Sequence, residues 1–232
     1  MLFSRYTLPQ LIALFAGLLS IFTIGLTFAI WATQVDPDKL CVPFISGCTS
    51  ITNTGLNEPQ TFLFRGGMIS CGMVILLWWF VMQRFLLQYK RQYWGFWLKS
   101  MFWGSSFASV CVIVSVAVMG PTMEDSKTLV QVHTASAVLF FLITTVNQSV
   151  LTWWLKKSVE DHDLELKTLT VKQIINIGQV ICLAIIFTHT LIYPLGHHLT
   201  NTIEWWIALL SCVYFLSALW DWDDFKLIEE DQ

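Results

Sequence analysis

Four histidines, His133, His189, His197 and His198, fall near one end of consecutive apolar segments. Imidazole changes charge near neutral pH and ligates metals as the neutral ring, so such a grouping could move protons, bind an ion or donate hydrogen bonds. His133 and His189 each lie about four residues inside an apolar stretch, or about 6 Å below a common mouth at the helical rise. Around that mouth gather Arg65, Glu124, Asp125, Lys127 and Glu204. Three chemistries fit. In one, Arg65 pairs with a lipid phosphate while His133 and His189 donate hydrogen bonds, with Glu204 at the rim. In another, His133, His189, His197 and His198 with carboxylates hold zinc that activates water for lipid hydrolysis or acyl transfer. In the last, the histidines and Trp205-Trp206 only anchor a helix bundle at an interface. Spacing does not assign a catalytic residue. The chain has no H-E-x-x-H, no G-x-S-x-G elbow, and Ser46 is a hydroxyl with no identified base. Paired histidines could also ligate haem, a weaker reading because a head-group site predicts the same levels.

The elements that position these groups follow from composition. The chain has 232 residues, 55% of them apolar and only 12% charged, with a mean hydropathy of +0.62. Soluble domains carry about a quarter charged residues, and disorder requires low hydrophobicity, so a lipid-embedded all-α protein remains. A net charge of −3 gives no reason to expect a nucleic-acid partner. Six stretches approach the roughly 20 apolar residues needed to span a bilayer. They run from Leu8 to Thr33, Gly67 to Tyr89, Lys99 to Gly120, Leu129 to Leu155, Ile174 to Tyr193, and Ile203 to Trp220, in a single domain. The first is too long for a signal core and is read as a retained helix. Charges near the midplane or broken helices would suggest a transporter, and neither is evident.

Every Lys and Arg except Lys39, Arg65 and Lys127 falls on one side of these spans. That asymmetry predicts both termini in the cytoplasm and a long outer loop over residues 34–66. Lys172 is counted among the cytoplasmic flanks, and the acidic tail from Asp221 to Asp231 reads as a solvated face. Small residues at Gly66, Gly67, Ser70 and Gly72, and at Gly104, Ser105, Ala108 and Ser109, predict close helix contacts. Asn147, Gln148, Asn176 and Gln179 predict interhelical hydrogen bonds, with Asn147 and Gln179 both about 10 to 12 Å deep and able to meet. Cys41 and Cys48 are the only cysteines outside the spans. They either form a disulfide in an oxidising compartment or remain two thiols in a folded cap. Cys71, Cys111, Cys182 and Cys212 read as small packing residues.

Several short motifs resemble one membrane family. Pro43-Phe-Ile-Ser46, then Pro59, then Phe64-Arg65 entering the second span, is similar to the loop of the DRAM/Sfk family, which includes a Golgi factor for GPI-anchor lipid remodelling and the amino-terminal domain of Cwh proteins. Val132-His133-Thr-Ala-Ser-Ala137 resembles its fourth helix, and Leu219-Trp-Asp-Trp-Asp-Asp-Phe225 its terminal signature. The resemblance implies six spans and a role in lipid remodelling or organisation, with membrane lipid as partner and bound phospholipid as ligand. It also implies that Pro43, Ser46, Arg65, His133 and Asp221 carry the pattern. The cysteine pair and His197-His198 depart from it, which speaks against direct transfer of a GPI-specific role.

Overall fold

The computed structural model describes residues 7–35, 41–88, 95–123, 125–161, 165–192 and 196–223, apart from the side chains of Val35, Gln88 and residues 189–192. The helices are α1 (Leu8–Ile30), the short α2 (Pro43–Ser46), α3 (Gln60–Gln88), α4 (Gly95–Ala117), α5 (Lys127–Glu160), α6 (Leu169–Ile192) and α7 (His197–Asp221). Six of them are long and apolar enough to cross a membrane, and no strand occurs among the described residues. Thr7 starts α1 with a capping box, its hydroxyl accepting from the Gln10 backbone while the Gln10 side chain accepts from the Thr7 N–H.

The long helices close a ring in the order α1, α3, α4, α5, α6, α7 and back to α1. Small residues set its tightest seams. A Cβ at Gly17 would overlap Leu216, and one at Gly67 would overlap Thr23, so these positions let backbones approach as lipid-embedded packing requires. Gly66 and Ser70 face outward instead. Predicted amide bonds do form across the ring, with one correction. Gln179 Nε2 donates to Gln148 Oε1 at 2.7 Å and to Ser211 Oγ at 3.0 Å, whereas Asn147 Nδ2 donates to Ser105 Oγ at 2.7 Å. Asn147 and Gln179 lie at matching depth but on faces turned to different neighbours.

α3, α4, α5, α6 and α7 each begin before the predicted start of their span, because the residues ahead of it continue the backbone ladder, while α4 stops at Ala117, short of the predicted Gly120. Arg65 therefore lies in the second turn of α3, and His197 and His198 open α7 rather than sitting on a loop. Lys172 is likewise not a solvated flank. It is fully buried in the first turn of α6, with its ammonium on Asp221 Oδ2 at 2.5 Å, Thr168 Oγ1 at 2.6 Å and Ser217 Oγ at 2.7 Å. Asp221, at the end of α7, is buried too, and it also accepts from the Thr168 backbone N–H and hydroxyl. The solvated reading of the tail fails at its first residue, since three donors on the neighbouring α6 terminus hold that carboxylate inside. Asp223 is exposed; its bond from Lys167, at 3.0 Å, holds its carboxyl below the ordinary range.

At this end, called the base, the middle of the ring is filled by aromatic side chains. Trp78, Tyr214, Phe215 and Trp222 are buried with ring centroids of Trp78 5.0 to 6.4 Å from the others, and the Trp78 indole donates to the Phe215 carbonyl at 3.1 Å. The opposite end carries the segment 41–59, which forms a cap.

Candidate functional site

The cap is built by local chemistry and then fastened to α7. Cys41 and Cys48 form a disulfide across α2, which resolves the alternative left open by sequence. Closing so short a loop contributes about 2 to 3 kcal/mol in the chain-entropy account. Gly47 ends α2 with φ of 56°, a left-handed conformation that suits a residue without Cβ. From α7, Asn201 Nδ2 donates to the Gly47 carbonyl at 2.9 Å, the Trp205 indole to Thr49 O at 2.9 Å, and the Trp206 indole to Phe44 O at 3.0 Å. Trp205 and Trp206 thus fasten the cap, a task that the anchor reading did not assign them.

Below the cap, where the base aromatics leave the ring centre open, lies a cavity of about 70 Å³. Its walls come from α1, α3, α4, α5, α7 and the cap, and are mostly apolar: Ile24, Phe64, Met68, Val112, Phe140 and Phe141 among others. The polar groups facing it include Ser20, Thr52, Ser115, His133, Glu204 and Ser211. His133 holds the centre of this set. Its Nδ1 lies 2.9 Å from the Ser115 carbonyl, while its Nε2 lies 3.0 Å from Thr52 Oγ1. A carbonyl only accepts, so Nδ1 carries a proton, while Nε2 faces the Thr52 hydroxyl, a group that can donate or accept. Ser115 Oγ donates to the His133 carbonyl at 3.1 Å, which fixes the same turn of α5 against α4. The Glu204 carboxylate faces the backbone N–H groups of Ile51 and Thr52, so Thr52 lies beside both ionisable groups.

Of the predicted site residues, then, His133 and Glu204 line one cavity. Arg65 is half-buried and does not line it, although it follows Phe64, which does. Pro43 is buried at the start of α2, and Ser46 is exposed with its hydroxyl on Val42 O at 3.0 Å. His197 and His198 are exposed in the first turn of α7. The His189 side chain and Glu124 lie outside the described residues, as do residues 224–232, which hold most of the acidic tail. Among the described residues no three His, Cys, Asp or Glu side chains come close enough to share a metal ion. Sequence reasoning missed Thr52, Ser115 and Ser211. All are hydroxyls in segments rich in them, and only the packing singles them out.

Entry to the cavity is suggested by where the ring is loose. From Lys127 to Leu139 no residue of α5 is buried, and from Val180 to Thr188 none of α6 is. The side-chain bonds from Ser149 to Asn176 and from Gln179 to Gln148 tie these two helices in the base half. The cap half of the α5–α6 seam is therefore the least packed part of the wall.

A ring of membrane-length helices, filled by aromatic side chains at one end and covered at the other by a disulfide-tied cap, defines a polytopic membrane protein with a pocket beneath the cap. The chain belongs to the Frag1/DRAM/Sfk1/Cwh43P N-terminal domain family, whose model matches residues 9–225. It is an integral membrane protein of that family. No match was found among curated proteins or among solved structures.

Proposed function

We propose that this protein takes a membrane lipid into the cavity beneath its cap and serves lipid organisation or remodelling. The observation that carries the reading is an apolar cavity with a few convergent polar groups, the usual form of a small-molecule site; its entry lies on the loosely packed α5–α6 side. The cap faces the extracytoplasmic side and both termini face the cytoplasm. The disulfide belongs in an oxidising compartment, and Arg84, Lys99, Lys156, Lys157 and Lys167 all lie toward the base. Filling the cavity tests the reading. Ala137, a small wall residue on α5, replaced by Phe should reduce co-purified lipid, read by native mass spectrometry, at least fivefold while the protein stays monodisperse. Full lipid occupancy in Ala137→Phe would overturn the site.

One observation favours a second reading, acyl transfer. A hydroxyl held on an imidazole whose other nitrogen is fixed by a carbonyl is the arrangement of an activated nucleophile. In this reading Thr52 Oγ1 attacks a lipid ester carbonyl and His133 Nε2 takes its proton. The imidazolium returns the proton to the departing alkoxide, and a second hydroxyl or water clears the Thr52 ester. Incubation with a phospholipid should then leave an acyl-sized mass on the intact chain that Thr52→Ala abolishes and Thr52→Ser retains. No adduct in the parent protein leaves the site as a binding pocket alone.

A further inference from the structure

Among the described residues Glu204 is the one carboxylate lining the cavity, and no Lys or Arg lines it with Glu204. Its two oxygens offer about four acceptor sites, and the backbone N–H groups of Ile51 and Thr52 that face it can answer at most two of them. Among the described residues no cationic side chain forms an ion pair with it. The His133 ring spends its two nitrogens on the Ser115 carbonyl and the Thr52 hydroxyl and forms no ion pair with Glu204. A carboxylate facing an apolar space is costly unless it takes up a proton or a cation answers it. The other walls suit the same partner: Phe64, Phe140, Phe141 and Phe215 surround the space, and aromatic faces attract ammonium groups. Size agrees, because about 70 Å³ is room for a few waters or a short amine head rather than a whole phosphodiester head group. Arg65, the predicted phosphate partner, is absent from the lining.

We propose that the cavity holds an ammonium group, with Glu204 as its counter-charge and the phenylalanine rings as its wall. Resting on the lipid reading above, this assigns the ligand class: a lipid with an amine or quaternary ammonium head, favoured over an anionic lipid. A free amine head shares the chemistry, and the experiment separates the two sources.

The full chain in neutral detergent is offered phosphatidylethanolamine, phosphatidylglycerol of the same acyl chains, or glycerophosphoethanolamine, and retained ligand is read by native mass spectrometry. The expected result is at least tenfold more phosphatidylethanolamine than phosphatidylglycerol, with glycerophosphoethanolamine retained weakly. Glu204→Gln keeps an acceptor for the Ile51 and Thr52 amides, and should erase the preference without loss of monodispersity. Equal retention of both lipids by the parent protein overturns the ammonium assignment and leaves the lipid site standing, whatever the variant does. Strong retention of glycerophosphoethanolamine with neither lipid held supports the ammonium and overturns the lipid reading. Retention of none of the three overturns both. A preference that survives intact in Glu204→Gln overturns the role of this carboxylate.

Discussion

Asp221→Ala is expected to cost about 3 to 5 kcal/mol of stability, the largest loss of any single substitution considered for this chain. The size comes from what stays behind. Lys172 has no exposed surface, and three of its bonds converge from Asp221, Thr168 and Ser217. Without the carboxylate, a buried ammonium remains beside the Tyr214 ring with only hydroxyls to answer it. Lys172→Ala should do comparable harm by stranding Asp221. The double variant Lys172→Met with Asp221→Leu should recover most of the loss, because well-packed apolar pairs often replace buried ion pairs without penalty. Unfolding in mixed detergent for the parent and three variants checks this. A double variant no more stable than Asp221→Ala alone would overturn the pairing account and assign the loss to packing.

Gly47→Ala should release the cap. The backbone there has φ of 56°, which costs a residue with a Cβ about 1 to 2 kcal/mol. The added carbon would also overlap the carbonyl of His198 on α7, a backbone atom with no rotamer to yield. The cap must then rise, breaking the bonds from Asn201 to Gly47 and from Trp205 to Thr49. Because Thr52 sits on the same segment, its bond to His133 goes as well. Faster hydrogen exchange over residues 41–59, with a severalfold fall in retained lipid, is the expected result. Unchanged exchange there would mean that the cap is held by the rest of its contacts.

Span number and helical class were legible because lipid imposes a length and an apolarity on each crossing, and both are one-dimensional properties. The depth of His133 was legible for the same reason. Its partners were not, since depth along a helix says nothing of rotation about it: Ser115 lies on the preceding helix and Thr52 in a loop whose path only the fold specifies. Arg65 shows the converse error. Its charge drew attention, yet the helix begins earlier than apolarity alone suggested, and Phe64 takes the place in the wall. Lys172 and Asp221 were read by their charge as solvated because their apposition joins two helix ends that are distant in sequence. A lysine four residues after Thr168 and an aspartate four residues after Ser217 do place matching donors and acceptors on single helix faces, a pattern detectable only once α6 and α7 are known to be neighbours.

The aromatic filling around Trp78 has a bearing on traffic. A ring plugged at one end is a cul-de-sac, so a guest admitted beneath the cap must leave by the door through which it came. On the lipid reading proposed above, such a protein sorts, shelters or presents molecules drawn from a single leaflet without carrying them to the other face of the bilayer.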